Sequence, residues 1–137
     1  MMRLAMSFLI ALVSSNSIAQ SPPLSTSREI AALFSALEQS HCQFNRNGSW
    51  YDAEQASDHL HQKYDYLLRK HLVTTTESFI NLAASKSSFS GRAYLVQCAN
   101  RKAVTSNTWF MAQLLHLRSK SVGANNSFKP KPLRGSA

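Results

Sequence analysis

Apolar residues recur along the chain at helical spacing in four places, and at strand spacing in two. Ile30, Leu33, Phe34 and Leu37 fall at i, i+3, i+4 and i+7, which places one apolar stripe on a first helix over 27–40. Thr26 stands three before Glu29, the spacing of a capping box. Ala53, Ala56, Leu60, Tyr64 and Leu67 share one face of a second helix over 50–71, with Asp58, Gln62, Asp65 and Arg69 opposite. Ser49 is its expected cap. Phe79, Ile80, Ala83 and Ala84 mark a third helix that begins near Thr74, with Thr74 and Glu77 again at capping-box spacing. Trp109, Phe110, Leu114 and Leu117 mark a fourth over 107–118, capped by Ser106.

Two short runs alternate instead. Cys42 to Arg46 (CQFNR) and Ala93 to Cys98 (AYLVQC) read as strands. Antiparallel pairing of the two brings Cys42 beside Cys98 and lays Phe44, Tyr94 and Val96 over the helices. Asn47-Gly48 is a turn signal between the first strand and the second helix, and gives a strand–turn–helix. The expected fold is mainly α (α+β): about four helices with a small two-stranded antiparallel sheet and one disulfide.

The ends of the chain differ from this body. Leu4 to Val13 (LAMSFLIALV) is an apolar run preceded by Arg3 and followed by Ser17-Ile18-Ala19, small residues where a signal peptidase cuts. A spanning helix needs about 20 apolar residues, roughly twice this run. Residues 1–19 are therefore expected to be a cleavable signal peptide, with cleavage before Gln20 and no transmembrane segment in the mature form. Residues 20–27 form a flexible leader, 28–118 a single globular domain and 119–137 a disordered basic tail. Removing 19 of 137 residues leaves 137 − 19 = 118, enough for one modest core. Export makes a Cys42–Cys98 disulfide the expected state of the two cysteines, because they lie in an oxidising compartment and lack zinc-ligand spacing.

Charge is uneven. The whole chain carries a formal +8, of which Arg3 leaves with the signal. Arg118, Lys120, Lys129, Lys131 and Arg134 meet no acidic residue from position 118 onward. Such a tail suits salt-sensitive attachment to anionic envelope polymers or lipids rather than to nucleic acid, and no nucleic-acid partner is expected.

No catalytic motif is present: no GxSxG, P-loop, HExxH or GxGxxG. The histidines show no metal-ligand spacing, and no cofactor is implied. Ser85-Lys86 are neighbours in sequence and do not face each other as a nucleophile pair would. The side of the second helix that borders its apolar face is more informative. Asp52, His59, Lys63, Tyr66 and Lys70 project within about 60° of one another. His59 and Lys63, one turn apart, offer donors to an anionic or hydroxyl-rich ligand. Boundary lysines also cover apolar surface with their stems, which is a purely structural role.

Two stretches resemble a known family. In Phe44 to Leu67 the residues that carry the likeness are Arg46-Asn47-Gly48, Ala53, Ala56, His59-Leu60 and Lys63. In Thr76 to Val96 they are Phe79-Ile80, Ala84-Ser85, Ser87-Ser88, Ser90-Gly91, Tyr94 and Val96. The pattern is similar to the YfeK-like family of small exported bacterial proteins of unknown function. It does not include the basic tail, and members do not all carry a cysteine pair. The resemblance implies a bacterial periplasm and supplies no activity, so no catalytic residue is carried over.

Together these readings give candidate ligand-binding residues Arg46, Asn47, His59, Lys63, Ser87 and Ser88. Arg46 to Gly48 are expected near the first amides of the second helix, which favour anions. The expected function is a non-enzymatic binding or interaction module of the envelope, with an envelope protein or anionic envelope component as partner. The alternatives are a small hydrolase or transferase using the His59/Lys63 surface, and an immunity or inhibitor protein for an envelope toxin. A concave pocket joining His59, Lys63 and the Ser87–Ser90 loop would favour the hydrolase or transferase.

Overall fold

The computed structural model describes residues 21–127. The expected signal peptide, and residues 128–137 of the expected tail, lie outside the described residues. The order of elements is α1 (Leu24–Gln39), β1 (Gln43–Arg46), β2 (Ser49–Tyr51), α2 (Ala53–Arg69), α3 (Thr76–Phe79), β3 (Leu95–Gln97), β4 (Val104–Thr105) and α4 (Ser106–Ser127). Directly after α3 the backbone continues as a π-helical turn, Ile80–Ala84.

The apolar stripes do what their spacing requires. Ile30, Leu33, Phe34 and Leu37 of α1 are all buried, as are Phe79, Ile80, Ala83 and Ala84 around the π turn. Leu60 and Leu67 of α2 and Phe110 and Leu114 of α4 complete the core from the other sides. Within it Phe34 meets Phe79 with ring centroids 5.7 Å apart, and Tyr64 of α2 meets Phe79 edge-on at 5.2 Å. Aromatic pairs in these tilted arrangements add to the stabilisation from burial.

The sheet is larger than the sequence reading gave. It has four antiparallel strands in the order β2-β1-β3-β4, not two. The central pair is the expected one: Phe44 faces Val96 and Gln43 faces Gln97 across β1 and β3. The added strands are three and two residues long, too short for alternation to announce them. Asn47-Gly48 is a hairpin turn rather than a strand–turn–helix. Both residues have positive φ, 52° and 89°, which is what a two-residue hairpin connection needs. Ser49 to Tyr51 then pair with β1, so α2 starts three residues later than expected. Its cap is Asp52, not Ser49: the Asp52 carboxylate accepts from the Gln55 amide at 2.8 Å and the Gln55 side chain accepts from the Asp52 amide.

Capping differs elsewhere for a shared reason. Thr26 lies inside the first turn of α1, which starts from Pro23, and the third helix is capped by Thr75 with Ser78. Glu29 and Glu77, expected in capping boxes, instead turn to Arg118. Arg118 donates to both carboxylate oxygens of Glu29 at 2.8 and 2.9 Å and to Glu77 at 2.6 Å. This bidentate fork ties α1, α3 and α4 together. Two boundaries are corrected as well. The leader is shorter, because helix begins at Leu24, and α4 passes Arg118 to reach Ser127, so residues 119–127 are helical rather than disordered. A helix already nucleated by packing extends at little cost where no proline intervenes.

Cys42 and Cys98 are joined, with their Cα atoms 4.3 Å apart and flanking the Gln43–Gln97 pair of the central strands. Among the described residues no helix is long and apolar enough to cross a membrane.

Candidate functional site: a cationic cleft

Three segments converge beside the sheet. The end of β1 and its hairpin turn supply Arg46 and Asn47, one side of α2 supplies His59 and Lys63, and the chain between α3 and β3 supplies Ser87, Ser88 and Tyr94. All line one cleft of about 370 Å³, together with Ser49, Tyr51 and Phe89. The six residues expected from the sequence are therefore brought together, across 42 positions of chain (88 − 46 = 42).

Asn47 joins the turn to the serine loop. Its side-chain amide donates to Ser87 Oγ at 3.2 Å and its carbonyl accepts from Ser90 Oγ. Ser87 is buried, and its Oγ also accepts from the Phe89 and Ser90 amides at 3.3 and 3.2 Å. Ser87 therefore shapes the loop, while Ser88 stands exposed at the rim. The amides at the start of α2 play no part in the cleft, because Asp52 occupies that end with its own carboxylate. Tyr66 and Lys70 lie further along α2, pair with each other at 5.9 Å, and do not line the cleft.

The polar centre is a chain of donors. Arg46 Nη1 lies 2.6 Å from His59 Nδ1. A guanidinium only donates, so Nδ1 accepts and the ring proton sits on Nε2. Nε2 then donates to the Tyr94 hydroxyl at 3.3 Å. Lys63 Nζ donates to the Lys86 carbonyl at 2.8 Å and approaches the same hydroxyl at 3.4 Å. With its oxygen accepting from both, Tyr94 has its own O–H to donate toward the cleft. Arg46 also lies over the Tyr51 ring, 5.0 Å from its centroid.

Electrostatics follow from crowding like charges in a half-buried space. Burial, and after it the nearby Arg46 charge, lower the Lys63 pKa from 10.5 to about 8. Burial, then Arg46 and Lys63, hold the His59 imidazole below its ordinary value, in keeping with its acceptor role toward Arg46. Burial raises the Tyr94 phenol, against a smaller opposing pull from Arg46, so it stays protonated. No aspartate or glutamate lines the cleft, and neither Arg46 nor Lys63 has a carboxylate in ion-pair contact among the described residues.

Tyr94 was missed as a site residue. Its position on the inward face of a strand makes an aromatic read as core, and its ring is indeed buried. Its place in the family-like pattern, beside Ser87-Ser88 and Gly91, was the available signal. Among the described residues no group of three or more His, Cys, Asp or Glu side chains is placed to hold a metal ion.

Fold and cleft together define a small, disulfide-braced helix-and-sheet protein with a cationic pocket at the sheet's hairpin edge. The chain belongs to a family of unknown function, DUF5329, whose match spans residues 24–118 and so takes in the whole cleft. Nothing in that match links it to the YfeK-like family. No curated protein and no solved structure matches the chain.

Proposed function

We propose that this protein is an exported, periplasmic, non-enzymatic binding module of the bacterial envelope. Its cleft takes up an anionic component bearing hydroxyl or other acceptor groups. The observation that carries this reading is the meeting of Arg46 and Lys63 in a cleft whose lining contains no carboxylate. An anionic ligand would supply the missing counter-charge and accept from Arg46, Lys63 and Tyr94 at once. The neighbouring groups argue against ready-made catalysis. Both ring nitrogens of His59 are engaged, and Ser87 Oγ is committed to its loop.

Titration calorimetry of the mature protein with glucuronate, glucose 6-phosphate and glucose tests the reading. Both charged sugars are expected to bind, glucose is not, and Arg46→Gln with Lys63→Met should weaken the charged sugars at least about tenfold, or about 1.4 kcal/mol. Equal binding of all three sugars, or a double variant that binds as before, would remove the anion site.

Two observations support a second reading, a small hydrolase or transferase. The cleft joins His59 and Lys63 to the Ser87–Ser88 loop, and a lysine lowered to about 8 beside a phenol is the type of amine that serves as a base or nucleophile. Turnover of envelope glycans or peptides by the wild type and not by Lys63→Met would favour it over simple capture.

A further inference from the structure

A second compartment lies behind the cleft. It has a volume of about 170 Å³ and reaches inward between α1, α2, the sheet and α4. Its deep walls are apolar: Leu37, Phe44, Leu60 and Phe110, all buried, with Ala56 and Ala84. The two alanines leave room that a larger side chain at either position would fill. Ala84 is the last residue of the π-helical turn, a departure from regular helix that often accompanies binding sites. Arg46, Tyr51, His59 and Tyr94 line this cavity and the cationic cleft alike, so the two compartments share one wall.

We infer that the site takes an amphiphilic anion: a carboxylate or phosphate held by Arg46, Lys63 and Tyr94, carrying an apolar group the size of a benzene ring that enters the inner cavity. This rests on the anion reading above and adds the second half of the ligand. Size supports it, since an engineered apolar cavity of about 150 Å³ takes up benzene. Polarity supports it too. The shared wall carries the cationic and phenolic donors, while the lining beyond it is mainly apolar; its polar members are Asn45, Gln55 and Ser106, and the Asn45 and Gln55 side-chain oxygens already accept from the Gly48 and Asp52 amides. A sugar ring placed inward would lose its water without regaining hydrogen bonds, which is costly. A phenyl or short branched alkyl group would gain from the same burial. The polar part of the ligand therefore stays in the outer cleft and the apolar part goes in.

The experiment compares matched probes on the mature protein by calorimetry: acetate with benzoate, inorganic phosphate with phenyl phosphate, and uncharged benzyl alcohol. The aromatic anion of each pair is expected to bind at least about tenfold tighter than its bare partner, about 1.4 kcal/mol. Ala56→Leu, which fills the cavity, should abolish that gain and leave the bare anions unchanged. Methyl NMR of the wild type gives an independent reading. Ring-current shifts at Ala56, Leu60 and Ala84 are expected with phenyl phosphate and not with phosphate. The carboxylate and phosphate pairs show which anion the cleft prefers. Equal affinity within both pairs, or a gain that survives Ala56→Leu with no methyl shifts, overturns the inference and leaves the anion cleft standing. Benzyl alcohol shifting the methyls while no anion gains from Arg46 and Lys63 overturns the cleft reading, and with it the pairing of the two compartments.

Discussion

The ammonium of Lys63 is half withdrawn from water and faces Arg46, the neutral His59 ring and the Tyr94 phenol, with no carboxylate in the cleft to offset it. Two consequences follow, of opposite sign. For folding, a lysine whose folded pKa lies below its unfolded value binds fewer protons when folded. Stability therefore rises with pH between about 8 and the unfolded value of 10.5 as the cost of the charged form is relieved. For binding, the charged form is the useful one. Affinity for a carboxylate probe, whose own charge is constant above about pH 6, is expected to be flat below about 8 and to fall above it. Calorimetry with benzoate in buffers of different ionisation heat should show proton uptake on binding above that point and little below it. Lys63→Met should remove both the fall and the uptake. A pH-independent affinity from about 6 to 10 would mean that Lys63 does not touch the anion. At this scale His59 and Lys63 were legible from the sequence, because residues four apart share a helix face. Tyr94 was not, because a strand gives its inward aromatics the same signature whether they fill a core or end in a working hydroxyl.

Among the elements, the hairpin turn ties the edge of the sheet to the loop that walls the cleft. Asn47 holds a positive φ of 52°, which asparagine tolerates better than most residues, and its side chain clamps the Ser87–Ser90 loop. The two roles separate by substitution. Asn47→Gly keeps the turn conformation and removes the clamp, whereas Asn47→Ala loses both and is expected to cost about 1–2 kcal/mol. Under Asn47→Gly the amides of Phe89, Ser90 and Gly91 should exchange faster, with the β1–β2 amides little changed and anion affinity reduced. Unchanged exchange in the loop would show that it is held by its own Ser87 and Arg92 bonds alone. The helical stripes were plain in the sequence because burial repeats every three or four residues over many turns. The hairpin was not: Ser49-Trp50-Tyr51 is three residues long, two of them exposed, and it runs straight into the Asp52 cap. Asn47-Gly48 carried the right signal, and the shortness of the strand after it hid the outcome. The loop's approach to the turn depends on a side chain 40 positions away, which no local pattern reports.

Two long-range ties hold the molecule together, and they respond to different conditions. The Cys42–Cys98 bridge closes 56 positions of chain, for which chain-entropy reasoning gives about 4 kcal/mol. Replacing both cysteines with alanine should lower the unfolding free energy, read from denaturant titration, by most of that amount at any pH. The Arg118 fork instead depends on carboxylate charge. Its hydrogen bonds to Glu29 and Glu77 hold both carboxyl groups below their ordinary values, more than burial raises them. Groups with depressed folded pKa values contribute stability that is fully present above the unfolded value of 4.5 and is lost as pH falls through the folded values. All three side chains remain partly exposed, so the contribution is modest, about 1 kcal/mol. Arg118→Ala should therefore lower stability at neutral pH by about that much, and the loss should shrink as pH falls through the folded pKa values and the carboxylates take up protons. Arg118 is also the last partly buried residue of α4 before the exposed stretch 119–125. A chain ending at Arg118 therefore keeps the fork and the side chains with which α4 enters the core, Phe110 and Leu114 among them. Truncation after Arg118 should leave the melting curve nearly unchanged, while truncation after Leu117 should reproduce the Arg118→Ala loss together with its pH dependence. If the two truncations melt alike, the fork contributes nothing; if the longer one already melts low, the exposed turns of α4 support the core in a way that their burial does not show.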